Sequence, residues 1–513
     1  MRLLPVALAC VLVLLASFGL HAFHAWEAQP RPEPAVPPPP AMGMGVVPEP
    51  SIPLATKPLS EVDPAVALDP TDPFRVAIAY IEEEERPWRD WIVQGVPTLG
   101  SRLVITLSED GGASWRSVRF PQVYPEEPAA FGPRYCDTST PAAAFDKGGG
   151  LHLLVRAIPC GYEADPAGYV VLHLRSSDFG ETWSDPVRIS WAPFWVDVVD
   201  APSLSLNPAT GELAAAWSER DHGWRQTFVT VSFRDATVGQ WSEPTRLAGG
   251  DSLTRDRRFY PQGVWGADGT YHVLAGGCVR DAFAREAGSS EAKAAGPGSC
   301  VAHFRRGPDG EWTKNAIDVT ACLGDEPQWH RAHQAVLTLR PDGPEAALAV
   351  VIAETSKGAH ALCLLSSTDG AATWSGLRLL NGIQPRAALF FAPSGELALL
   401  HLEALSSREL ARANGVGAAN GTEYQEALPR LTLIDGKRLQ PREQRVLADS
   451  FLTYGGGAEG HHPLGLRYAY EGGRFVWAVM GAQPPEGTFG TEKGKADLWV
   501  HRGYFHTWGG PSG

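Results

Sequence analysis

Positive charge is scarce in this chain: 44 Lys and Arg stand against 58 Asp and Glu, for a formal net charge of −14. No stretch gathers the basic residues needed to neutralise a phosphate backbone, which excludes a nucleic-acid partner. Charged residues make up only 20% of the sequence while hydrophobic ones reach 44%, a balance that rules out a disordered protein. The seven cysteines include no C-x-x-C pair and no Cys/His grouping with zinc spacing, so neither a metal nor another cofactor is expected. The run Gly455-Gly456-Gly457 opens no helical pattern and does not read as a phosphate cradle. What the chain holds instead is 55 Gly, 43 Pro and 17 Trp. Residues that punctuate short strands are therefore abundant, and an all-β architecture follows.

The N-terminus is built differently from the rest. Arg2 precedes an uncharged apolar run, Leu3 to Leu20, and a proline-rich stretch follows from Pro30 to Pro53. The run is intermediate between a signal-peptide core and a short membrane helix. Residues 1–26 are expected to be an anchor or a cleaved signal, either of which exports the chain, and residues 27–53 a semi-rigid polyproline spacer. The folded part is then 54–513, expected to be a monomer. The six cysteines after Cys10 allow fifteen pairings. If sequential neighbours lie on adjacent strands of one repeat, the pairs are Cys136–Cys160, Cys278–Cys300 and Cys322–Cys363.

Three segments share the pattern Ser-x-Asp followed by a small-residue turn and Trp: Ser108 to Trp115, Ser176 to Trp183 and Ser367 to Trp374. Each lies between two β-like runs, so each is expected to be a hairpin loop in which Ser and Asp bond the turn's own amides and Gly supplies positive φ. Weaker copies surround Asp235, Asp309 and Asp435, and the six Asp positions recur about every 65 residues. Between them come paired apolar runs such as Pro141–Phe145 with Leu151–Arg156. Four short strands per period describe a propeller blade. Seven blades fill the chain, with six as the alternative, and the last unit needs an outer strand from residues around Ser51–Ala55.

On these motifs the sequence resembles the Asp-box, or BNR-repeat, proteins, of which the sialidases are the best-known family. The third copy departs from the pattern, with Ala371 in a glycine position. The resemblance implies a β-propeller whose Asp boxes lie on the face away from any active site.

The opposite face would carry the long loops between second and third strands, among them Glu82–Gly100 and Glu403–Leu428, and the segments that lead into each innermost strand. Those segments hold Arg134 and Tyr135, Arg258 and Tyr260, Arg331, Arg386, and Tyr454 with Glu459. Guanidinium forks suit a carboxylate, aromatic faces suit a pyranose, and carboxylates supply acid–base chemistry. Carried over from the sialidases, Asp90 is the acid/base, Tyr454 and Glu459 the nucleophile pair, and Arg86, Arg258, Arg331 and Arg386 candidates for holding the substrate carboxylate. The family's Arg-Ile-Pro motif has only Phe74-Arg75-Val76-Ala77 as a counterpart, which lacks the proline and falls on a second strand. Two functions stand: a surface propeller that binds a glycan or a cell-surface protein, or a sialidase-like hydrolase of acidic glycans. The acidic run Glu82–Glu85 reads as a solvated loop.

Overall fold

The computed structural model describes residues 45–54, 60–83, 101–119, 135–159, 169–190, 196–198, 202–221, 227–248, 261–278, 300–322, 330–354, 360–381, 383–404, 424–435, 439–447, 451–454, 466–471, 474–483 and 495–506. It is an all-β propeller of four-stranded antiparallel sheets. The described strands form seven sheets, labelled I to VII in chain order. Sheet I runs Ser60–Asp69, Asp72–Glu83, Ser101–Ser108 and Arg116–Arg119; sheet II runs Tyr135–Phe145, Leu151–Pro159, Val170–Ser176 and Val187–Arg188. In sheet III both Val196–Val198 and Ser203–Leu206 pair with Leu213–Asp221, followed by Thr227–Arg234 and Thr245–Ala248. Sheet IV is Gln262–Trp265, Tyr271–Cys278, Cys300–Arg306 and Trp312–Asp318; sheet V is His330–Leu339, Ala346–Glu354, His360–Ser367 and Ser375–Asn381. Sheet VI is Ile383–Phe391, Leu397–Ala404, Tyr424–Asp435 and Gln440–Val446, with Phe451–Tyr454 added beside its third strand. Sheet VII takes Leu466–Glu471, Arg474–Gln483 and Lys495–His506 from the end of the chain and its outermost strand, Gly45–Pro53, from the beginning.

Strand periodicity explains how the sheets associate. Successive side chains point to opposite faces, and in the second strand of sheet I every residue from Val76 to Ile81 is buried. Ala77, Ala79 and Ile81 face sheet II, whereas Val76, Ile78 and Tyr80 face sheet VII. The same division recurs along the chain. One apolar cluster fills each junction, I with II, II with III, III with IV, IV with V, V with VI, VI with VII, and VII with I. First strands of neighbouring sheets touch in the same cyclic order, so they are the innermost strands. Each fully buried Val, Leu, Ile or Phe contributes about 1.5–3 kcal/mol.

Two disulfides cross the described residues. Cys278 and Cys300 face each other on the second and third strands of sheet IV, with Cα atoms 5.3 Å apart. Cys322 follows the last strand of sheet IV and bonds Cys363 in sheet V, Cα to Cα 6.1 Å. That second bond staples neighbouring sheets rather than strands of one repeat, a correction to the reasoning from sequence although the pairing is as expected. Cys160 lies outside the described residues. Both bonds fit an oxidising compartment. No helix among the described residues is long and apolar enough to cross a membrane, and residues 1–44 lie outside them.

The three Ser-x-Asp turns share one hydrogen-bond set. Ser176 Oγ donates to Asp178 Oδ1 at 2.8 Å and accepts the Gly180 amide at 2.7 Å, while Asp178 accepts the Thr182 amide at 2.9 Å and the Thr182 hydroxyl at 2.5 Å. Ser108 with Asp110 and Gly112, and Ser367 with Asp369 and Ala371, repeat it. The Thr182 hydroxyl and amide hold the Asp178 carboxyl down at about 2. Two consecutive residues have positive φ in each turn, and Ala371 adopts +61° where the other two turns place glycine. Its methyl is buried in the cluster between sheets IV and V, which offsets the strain of the left-handed region.

The serine hydroxyl is the atom that both accepts a buried amide and orients the aspartate. Ser176→Ala leaves the Gly180 amide without its acceptor and is expected to cost about 1–3 kcal/mol, measured as a lower denaturant midpoint. A substitution within error of wild type would mean the turn is held by its flanking strands alone.

Candidate functional site

An antiparallel meander gives each sheet two kinds of end. Links from first to second strand and from third to fourth open on one face, which carries the Ser-x-Asp turns and is called here the turn face. The other face receives the start of every innermost strand and the end of every second strand, and is the funnel face. Arg75 lies at the turn-face end of the second strand of sheet I, 3.9 Å from Asp69 and from Glu109 and over the Phe179 ring at 5.2 Å. It therefore lies on the turn face, away from the starts of the innermost strands.

At the funnel face the innermost strands are irregular. Register shifts interrupt pairing between Val62 and Ala65 in sheet I, between Tyr135 and Asp137 and again between Ser139 and Ala142 in sheet II, between Ala332 and Gln334 in sheet V, and between Ile383 and Ala387 in sheet VI. Bulges of this kind bend a strand and re-aim its residues. Thr140, inside one of them, has φ +48° and a buried hydroxyl without a hydrogen-bond partner. A β-branched residue in that region is strained, and such strain gathers at functional positions.

Several sequence-predicted residues fall on these stretches. Tyr135 opens the first strand of sheet II, opposite Pro159; Arg331 is second in the first strand of sheet V, opposite Ala353; Arg386 sits within the interrupted part of the first strand of sheet VI. The backbone thus brings these three to one face from three sheets. Tyr454 pairs with Tyr424 on the third strand of sheet VI, at the funnel-face end of that strand, and the next described strand, Leu466–Glu471, is the innermost of sheet VII. Asp90, Glu459, Arg86, Arg134, Arg258 and Tyr260 lie outside the described residues. Glu82, the first of the acidic run expected to be a solvated loop, differs from that expectation, while Glu84 and Glu85 lie outside the described residues. Glu82 is buried near the end of the second strand of sheet I, opposite Arg102.

One buried acid was missed in the sequence. Glu219 lies toward the funnel-face end of the second strand of sheet III, two residues beyond Trp217 and so on the same side of the strand. The Trp217 indole donates to Glu219 Oε1 at 2.9 Å, and Arg246 Nε donates to Oε2 at 3.3 Å. Arg246 also lies over the Phe228 ring at 4.2 Å. Burial pushes the Glu219 carboxyl up, partly offset by the Trp217 hydrogen bond and the Arg246 charge. With 0% of its surface exposed, Glu219 touches no ligand directly. It positions Arg246 and the strand that supports the funnel face. An acid two residues after a tryptophan in an otherwise apolar strand was the available signal.

A carboxyl raised by folding favours the folded state in its protonated form, and that contribution is lost as pH rises through the raised value. Glu219→Gln cannot ionise and keeps an acceptor for Trp217. Thermal unfolding should find the variant at least as stable as wild type at pH 7, with the two converging as pH falls toward 4. A variant much less stable at pH 7 would mean that the ionised pair with Arg246 holds the strand.

No family model matches the chain, and no curated protein does. Among solved structures it is similar to a protein of unknown function from Dyadobacter fermentans, at 12% identity over 90% of this chain and 100% of that one, with a TM-score of 0.46. It is similar to the polysaccharide lyase Uly1 at 10% identity, covering 84% and 88% of the two chains, with a TM-score of 0.43. A third likeness is to the intramolecular trans-sialidase of Ruminococcus gnavus, at 11% identity over 66% of this chain and 89% of that one, with a TM-score of 0.41.

Proposed function

We propose that the protein is an exported, membrane-tethered Asp-box propeller, its seven sheets serving as blades of one ring, that binds an acidic glycan or a cell-surface protein at its funnel face. The observation that carries this reading is the run of interrupted innermost strands at that face. Register also shifts in outer strand pairs, between Val229 and Thr230, Leu364 and Ser366, and Leu433 and Ile434, but the interruptions of the innermost strands gather at the funnel face. These interruptions lie beside Tyr135 and Arg331, which are themselves paired, and around Arg386. Arginines drawn from several sheets suit a carboxylate, and tyrosines suit the ring that bears it. In the proposed site Arg86, Arg134, Arg258 and Tyr260 join them. The runner-up is a sialidase-like hydrolase in which Asp90 serves as acid/base and Tyr454 with Glu459 as the nucleophile pair. It is favoured by the funnel-face position of Tyr454. The absent Arg-Ile-Pro motif favours binding.

The full-length protein in detergent would be screened for glycan binding and, in parallel, for turnover of a fluorogenic sialoside and other glycosides. Binding of an acidic glycan without turnover is expected. Arg331→Ala or Arg386→Ala should weaken it roughly 10- to 100-fold, the cost of one charge-assisted contact. Turnover abolished in Asp90→Asn and in Tyr454→Phe would establish the hydrolase instead, and neither binding nor turnover from folded protein would overturn both.

A further inference from the structure

A second binding site is suggested away from the funnel. Between the outer parts of sheets II and III, toward the turn face, lies a groove of about 750 Å³ whose lining includes His173, Arg175, Arg188, Arg234, Trp241 and Glu243. That volume is within the range of small-molecule sites. Three guanidiniums border the groove against a single lining carboxylate, Glu243. Arg175 also reaches Asp146 at 3.1 Å, but the same carboxylate accepts His152 Nε2 at 3.0 Å and the Gly148 and Gly150 amides at 2.9 and 2.8 Å. Its charge is already shared among several donors.

The donors left over are specific. Arg175 Nε, Arg234 Nε and Trp241 Nε1 are all buried and meet no hydrogen-bond acceptor. Unsatisfied buried N–H groups cost free energy, and here three of them belong to one groove, from two sheets. Trp374 of the third Ser-x-Asp turn also has an unpartnered indole N–H. In the Ser-x-Asp turns of sheets I and II the indole N–H is satisfied within the turn, Trp115 by Gly112 O at 2.9 Å and Trp183 by Gly180 O at 3.2 Å. Sheet III carries a degenerate copy, in which Asp235 instead accepts the Thr237 and Val238 amides, each at 2.7 Å. Trp241 keeps the ring position but loses the carbonyl. Its ring lies edge-on to His173, which stacks on His152.

We propose that this groove binds the oxyanion of an acidic saccharide, either a sulfate ester or a carboxylate, with Arg175, Arg234 and the Trp241 indole N–H as donors and the remaining groove taking the sugar. An oxyanion offers several lone pairs to N–H groups approaching from different side chains, and guanidiniums match its geometry. The groove is larger than a bare ion requires, which points to an anion carried on a ring.

The test is isothermal titration calorimetry on the full-length protein with three probes: a sulfated heparin disaccharide, an oligogalacturonate and inorganic sulfate. One saccharide should bind more tightly than sulfate, and which one identifies the anion. Arg234→Gln should weaken that binding at least tenfold. Trp241→Phe, which keeps a ring and removes the N–H, should weaken it severalfold. Arg386→Ala, on the opposite face, should leave the groove's binding unchanged, so that failure here and failure at the funnel are separable. Binding of inorganic sulfate as tight as either saccharide would mean an adventitious ion only. Saccharide binding insensitive to Arg234→Gln and Trp241→Phe, or no binding by any probe to folded protein, would likewise overturn the proposal.

Discussion

No sheet in this protein has a face to spare. The second strand of each is apolar on both sides, so a sheet is stable only between two neighbours, and a row of such sheets ends well only by closing on itself. Val76, Ile78 and Tyr80 of the first sheet meet Val476 and Ala478 of the last. The same requirement accounts for the outermost strand of sheet VII, which the chain supplies from Gly45–Pro53. It covers the edge of Lys495–His506, which would otherwise offer unpaired backbone groups to other chains.

A closed ring leaves two faces, and the chain treats them differently. On the turn face, short links are pinned by side chains onto their own backbone, most completely where a serine hydroxyl takes the amide four residues on. On the funnel face, innermost strands slip register and Thr140 adopts a strained conformation. Irregular innermost strands on a rigid scaffold are the pattern expected where adaptable residues are presented for recognition, although register also shifts near the turn face, at Leu68/Asp69, Leu364/Ser366 and Leu433/Ile434. Also on the turn face, a groove with unsatisfied donors lies beside Trp241 in the degenerate turn of sheet III.

Local chemistry was legible in the sequence, and relations between sheets were much less so. Ser176, Asp178 and Gly180 define their turn within five residues, so the motif predicts its own hydrogen bonds, and its recurrence predicts a repeated sheet. The chain also showed that the last unit lacked an outer strand, although that strand begins at Gly45 rather than near Ser51. Cys322 was paired with the right partner for the wrong reason, because nothing local says that a bond spans two sheets. Glu82 read as part of a solvated loop and Glu219 was passed over, since burial is decided by strands distant in sequence. The groove between sheets II and III was invisible because Arg175 and Arg234 approach each other only across a sheet junction. Of the proposed funnel residues, Tyr135, Arg331, Arg386 and Tyr454 fall on described strands, and the others lie outside the described residues.

The most direct test of interdependent sheets is native-state hydrogen exchange of the second-strand amides under increasing denaturant. Interdependence predicts that amides of Val76–Ile81, Leu213–Trp217, Ala346–Val350 and Phe475–Ala478, from sheets I, III, V and VII, merge into a single opening transition. Separate transitions, with one sheet opening well before its neighbours, would contradict it and describe a stack of independent units instead.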